Sequence, residues 1–135
     1  MQLMQIDDWR QFRKEGRQYL AIARRATHKR PDIFTPEIIY NILCMAIEKL
    51  LMGVLMSRGD MADNHTMMDM LHSLARHFGE LSEFASDFRF IDSFQEICNL
   101  DTFNRRPPQP EELQRIYRTA CKVEEFCEQA TAAPA

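Results

Sequence analysis

Glycine is scarce in this chain. Its 135 residues contain four, Gly16, Gly53, Gly59 and Gly79, and these are scattered. A glycine-rich loop that cradles phosphate is therefore excluded. No segment alternates apolar and polar residues with period two, so no strand is expected, and no stretch repeats. The four cysteines, Cys44, Cys98, Cys121 and Cys127, show no CxxC spacing. Each falls in a helical, largely apolar pattern and is expected to be a reduced thiol, buried or half-buried. No Ser or Cys stands beside a His in a strand–turn–helix elbow, which argues against nucleophilic hydrolysis. Glu-x-x-His is missing, which excludes the paired di-iron motif of helical bundles. Asp69 to His72 is a single Asp-x-x-His with no second copy.

Long uninterrupted apolar runs are missing too. The longest, Ile38 to Met56, is broken by Asn41, Glu48 and Lys49, which suits a core helix rather than a membrane span. The opening "MQLMQIDDWR" has no apolar h-region, so a cytoplasmic location is expected. Net charge is only −3, too little of either sign to coat nucleic acid. That charge is uneven. Residues 1–30 hold eight Lys/Arg against three acids, and residues 31–135 hold nine against seventeen. A basic first third of this kind faces phosphate or pairs with the acidic remainder, and pairing is the simpler expectation.

What is present reads as helix throughout. The first helix is expected from about Asp7 to His28, with Trp9, Phe12, Gly16, Tyr19, Leu20 and Ala23 at three- and four-residue spacing. Thr35-Pro36-Glu37 is a strong start signal, with Thr at the N-cap and Pro at the first helical position. The helix after it, to about Ser57, is apolar nearly all round and so belongs at the centre of a bundle. Arg58-Gly59-Asp60 ends it. A short third helix is expected from Asp63 or Asn64 to Phe78, with Met67, Met70, Leu71, Leu74 and Phe78 inward and Gly79 just past its end. A fourth should run from about Ser82 to Leu100, with Phe84, Phe88, Ile91, Phe94 and Cys98 as its apolar face. "TFNRRPPQP" is a loop, and Pro110-Glu111-Glu112 opens the last helix. The expected architecture is one all-α domain spanning 1–135, with a core over about 7–129 and a frayed tail at 130–135. It is an up-and-down antiparallel four-helix bundle with one short extra helix.

Chemistry concentrates in "SRGDMADNHTMMDMLHSLARHF", Ser57 to Phe78. On a helical wheel His65, Asp69, His72 and Arg76 share one stripe, opposite the inward methionines and leucines. Three ligands in a row on one helix splay apart, so no metal and no cofactor is expected. Arg58 and His65 are separated by six residues. An arginine holds phosphate in a bidentate fork, and an imidazole moves a proton near neutral pH, which together suffice for metal-independent RNA cleavage. The N-terminal amides of the third helix would add to the attraction for a phosphate at His65.

The segment "YNILCMAIEKLLMGVLMSRGDMADNHTMMDMLHSLARHF" resembles the central part of the HEPN family, the higher-eukaryote and prokaryote nucleotide-binding domain. Ala46, Glu48 and Lys49 carry the pattern of its long helix. His65 in "NHTMMDML" corresponds to its His-containing helix start. "NRRPPQP", with Arg105, Arg106 and Pro107, corresponds to the turn before its last helix. The resemblance spans roughly Asp7 to Gln129. It implies a helical bundle, a two-fold homodimer, and a nucleotide or RNA ligand. It also implies a minimal nucleotidyltransferase as partner in a toxin–antitoxin-type pair. The implied phosphate contacts are Lys49, His65, Arg105 and Arg106, with Glu48 and Asp69 orienting them. A binding module is the primary expectation. A ribonuclease using Arg58 and His65, and a non-catalytic interaction bundle, are the alternatives. A simpler reading makes Glu48 and Lys49 a local charge pair, and His72 and His77 surface residues.

Overall fold

A computed structural model describes residues 8–29, 34–95 and 107–132. Over these the chain is an all-helical bundle of five elements: α1 (Asp8–Lys29), α2 (Pro36–Ser57), α3 (Met67–Phe78), α4 (Ser82–Ser93) and α5 (Pro110–Ala132). The central element is α2. Thirteen of its residues are buried, including every one from Leu50 to Met56, so neighbours enclose its second half on all sides. It packs on α1, α5 and α3, while α4 bridges α3 and α5. By length and composition α2 could cross a membrane, but 67% of its most apolar window is buried within the fold.

The chain forms α2 where its signals predict. Thr35 Oγ1 accepts from the Ile38 amide at 3.3 Å, and Pro36 takes the first helical position. The helix closes in a Schellman motif. The Asp60 amide donates to the Leu55 carbonyl and the Gly59 amide to Met56, each at 2.9 Å. Gly59 has φ +73°, where a side chain would strain the backbone. Small residues bring α1 against α2. A Cβ on Gly16 would stand 2.7 Å from Leu50 Cγ, and one on Gly53 would stand 3.2 Å from the Trp9 carbonyl oxygen.

Acids and hydroxyls of α5 answer three arginines of α1. Arg17 Nη2 lies 2.5 Å from Glu128 and its Nε 3.9 Å from Glu124. Arg13 donates to Thr131 Oγ1 at 3.1 Å, and Arg24 Nε to the Tyr117 hydroxyl at 2.5 Å. Pairing within the fold therefore accounts for these three arginines. Tyr40 on α2 donates to the Ile91 carbonyl at 2.7 Å, holding α4. Arg115 then ties α5 to Asp87 at 2.9 Å and lies over the Phe90 ring.

Three boundaries depart from expectation. The third helix starts at Met67 rather than at Asp63 or Asn64, because Thr66 takes the N-cap and accepts from the Asp69 amide at 3.0 Å. His65 is therefore outside the helix, and the polar stripe keeps only Asp69, His72 and Arg76. The last helix continues through Ala132, three residues past the expected core boundary, and Thr131 Oγ1 donates back to the Cys127 carbonyl at 2.8 Å. The fourth helix ends at Ser93, with Phe94 and Gln95 in a turn, while residues 96–100, with Cys98, lie outside the described residues. So does the loop carrying Arg105 and Arg106.

Candidate functional site

One depression gathers three of the expected site residues. Phe12 comes from α1, Met45, Glu48, Lys49 and Met52 from α2, and His65 from the connection before α3. They line a space of about 250 Å³. Glu48 and Lys49 do not pair with each other, which corrects the simple charge-pair expectation. Adjacent helical positions diverge by about 100°, and each side chain finds a partner elsewhere. Glu48 holds His65 Nδ1. Lys49 Nζ donates to Glu15 Oε1 at 2.8 Å and lies 4.5 Å from the Phe12 ring centroid.

An ionised Glu48 offers only acceptors, so in its contact with His65 the Nδ1–H donates, which leaves Nε2 as the second ring nitrogen. The imidazole is 62% exposed, so solutes reach it freely. Glu15 is held below the usual carboxylate range by the hydrogen bond from Lys49 and then by that from Gln11. An anion arriving at Lys49 must therefore compete with a carboxylate already in place.

The other expected residues lie elsewhere. Arg58 caps the end of α2, ten residues beyond Glu48, or about 15 Å along the helix axis. Its guanidinium stacks 4.7 Å from the Phe78 centroid, and Nη2 reaches the Ala130 carbonyl at 3.4 Å. Arg58 and His65 thus turn to different partners. Asp69 sits in the first turn of α3, where a carboxylate suits the helix dipole. Arg105 and Arg106 lie outside the described residues.

The expected phosphate attraction of the α3 N-terminus is also corrected. Its amides are already taken. Met67 and Met68 donate to the two carboxylate oxygens of Asp92 on α4, at 2.9 and 3.0 Å, and the Asp69 amide donates to Thr66. A bound carboxylate occupies the position an external anion would need.

Composition alone did not point to Asp60. His77 Nε2 and Arg76 Nη2 both reach its Oδ2, at 2.7 and 2.9 Å. His72 and His77 are both exposed, as expected of surface residues, and His77 in addition pairs with Asp60. The His77 contact, then Arg76 and the Met61 amide, outweigh partial burial and bring the Asp60 carboxyl down to about 2. A lowered acid stabilises the fold above its unfolded pKa of about 4 and loses that contribution as pH falls through its folded value. Asp60→Asn should cost on the order of 1 kcal/mol at pH 6, after allowance for solvent screening. Urea midpoints at pH 6, 4 and 2 check this; a penalty unchanged at pH 2 would refute it.

Cys44 and Cys127 are buried and make poor nucleophiles. Burial pushes Cys44 up to about 12 and raises Cys127 as well, whose Sγ donates to the Leu50 carbonyl at 3.4 Å. Among the described residues no three His, Cys, Asp or Glu side chains gather closely enough to hold a metal ion. No family model matches the chain, and neither a curated protein nor a solved structure shows significant similarity to it.

Proposed function

We propose that this chain is a HEPN-like nucleotide-binding module, with its site at the depression formed by Phe12, Glu48, Lys49 and His65. The observation that carries this reading is their convergence. An ammonium group and a carboxylate-oriented imidazole share a small depression with an aromatic ring and two methionines. Lys49 and His65 supply phosphate contacts, and Phe12, Met45 and Met52 an apolar wall for a base. At about 250 Å³ the space falls below the ~300–1,000 Å³ usual for a whole ligand. It therefore takes one part of a nucleotide and leaves the rest in solvent.

In this proposal the helices run up and down as a four-helix bundle with one short addition. The module works in the cytoplasm as a homodimer beside a nucleotidyltransferase partner. Ile38 and Met45, both about 40% exposed and seven residues apart on α2, support an interface along that face. Arg58's engagement with Phe78 and Ala130 weighs toward binding over RNA cleavage, which needs Arg58 and His65 at one phosphate.

ATP titration tests the reading. Saturable binding is expected, weakened about tenfold by His65→Ala or Lys49→Ala, as for loss of one charge-assisted contact. Light scattering on the same samples reads the dimer. No saturation at millimolar ATP, or full affinity in both variants, would overturn the assignment. Metal-free cleavage of single-stranded RNA that disappears in Arg58→Ala would replace it with the ribonuclease.

A further inference from the structure

Lys49 does not stand open at its depression, because Glu15 on α1 holds it. Both oxygens of that carboxylate are engaged. Oε1 accepts from Lys49 Nζ at 2.8 Å, and Oε2 accepts from Gln11 Nε2 at 2.8 Å. Gln11 lies one turn earlier on α1, so it braces the carboxylate from within the same helix. The side chains of Glu15 and Lys49 are 32% and 29% exposed, so small solutes reach the pair. Lys49, and then Gln11, hold the Glu15 carboxyl below its ordinary range, and it is ionised at neutral pH.

This arrangement bears on which anions gain from Lys49. An ammonium has three N–H donors. One is spent on Glu15, and the Phe12 ring centroid lies 4.5 Å from the nitrogen. A carboxylate arriving from solution offers Lys49 only what Glu15 offers already. Glu15 is tethered beside Lys49, and a dilute free carboxylate cannot match its effective concentration. A phosphate monoester brings a charge of about −1.5 to −2 at pH 7 and three acceptor oxygens. It gains at the ammonium where a carboxylate exchanges like for like.

We propose that Glu15 is the positioning residue that sets the anion threshold of this site: paired with Lys49, it admits a phosphate monoester to that ammonium and denies it to a carboxylate. The inference rests on the nucleotide reading of the depression and adds which anion that reading admits.

The test is calorimetric titration of the full chain with adenosine, adenosine 5′-carboxylate and AMP, which share a base and sugar and differ at the 5′ group. In the parent, AMP should bind about tenfold tighter than adenosine, and the carboxylate within about twofold of it. Glu15→Gln keeps the shape of the side chain and removes its charge. It should bring the carboxylate to about fivefold tighter than adenosine, tighten AMP as well, and leave adenosine unchanged. Adding Lys49→Ala to Glu15→Gln should return the carboxylate to the level of adenosine, an outcome that a merely structural role for Glu15 does not give. Ligand-free unfolding midpoints establish that each variant is folded. If Glu15→Gln is not, Gln11→Ala loosens the same carboxylate and should tighten adenosine 5′-carboxylate about twofold. A parent that binds the carboxylate as tightly as AMP, or a folded Glu15→Gln that leaves it at the level of adenosine, would overturn the proposal and leave the nucleotide reading standing. AMP binding no tighter than adenosine in the parent would overturn the phosphate reading and this inference with it.

Discussion

Gly16→Ala should destabilise the protein, and its loss should be less than additive with that of Leu50→Ala. Alanine is ordinarily the better helix residue by about 1 kcal/mol, so an exposed glycine in α1 would gain from the change. Gly16 is buried against α2 instead. Its added Cβ would stand 2.7 Å from Leu50 Cγ, 3.0 Å from Leu50 Cδ2 and 3.1 Å from the Ala46 carbonyl oxygen. Carbon atoms prefer separations of about 3.5–4.0 Å. Leu50 is 1% exposed and has little room to retreat, and the Ala46 carbonyl is backbone. Overpacking of this kind costs about 1–3 kcal/mol, and against a propensity gain of about 1 kcal/mol this leaves a net loss of up to about 2 kcal/mol. Leu50→Ala alone should cost about 3 kcal/mol, through lost transfer energy and a cavity. In the double variant the atoms that clash are gone, and the new methyl fills part of the space. The combined loss should fall short of the sum by at least about 1 kcal/mol. Urea unfolding of the four proteins decides it. Additivity within about 0.5 kcal/mol, or a stabilised Gly16→Ala, would sink the argument.

That contact also shows what could be read in advance. Gly16 stands in the inward series of the first helix, between Phe12 and Leu20, so its burial follows from periodicity. Its partner does not, because nothing local relates Gly16 to Leu50. The same division runs through the fold. Helix starts at Pro36 and Pro110 and the stops at Gly59 and Gly79 were legible, since caps and turns are made within four residues of chain. The N-terminus of α3 was misplaced by three or four residues. Asp63, Asn64 and Thr66 are all competent caps by residue type. The choice fell on Thr66, where Asp92, 25 residues away, meets the first amides.

The candidate site divides along the same line. Glu48, Lys49 and His65 were singled out in the sequence because a lysine and a histidine suit a phosphate and a carboxylate can orient them. Their partners were not. Glu15 reaches Lys49 across 34 positions, and Phe12 reads in the sequence only as part of an inward face. The Arg58–His65 spacing looked chemical because six intervening residues suggest proximity. A helix end and a connecting loop separate their directions, and that geometry is set by tertiary packing. The polar stripe on α3 failed for a related reason: a wheel assumes helix at every position, and His65 precedes the helix.

The carboxylate of Asp92 should prove one of the most consequential polar groups in the molecule. It bridges α4 to α3 by accepting from two consecutive amides at 2.9 and 3.0 Å. Helix N-termini leave their first amides without intrahelical partners, and here a side chain from another helix satisfies them. Removing an N-cap acceptor costs about 1 kcal/mol, and hydrogen bonds to a charged group contribute about 1.5–3 kcal/mol. Asp92→Ala should therefore destabilise by about 2–3 kcal/mol. Asp92→Asn, which keeps one acceptor oxygen and no charge, should lose about half as much. Thr66→Ala removes a single neutral contact to the Asp69 amide and should cost only about 1 kcal/mol. Amide exchange at Met67 and Met68 should quicken in Asp92→Ala before exchange in the core of α2 does. The freed amides would then form the anion site that Asp92 fills in the parent. Inorganic phosphate should accordingly raise the stability of Asp92→Ala more than that of the parent. A variant as stable as the parent, or one that phosphate stabilises no further than the parent, would show that solvent satisfies these amides as well as Asp92 does.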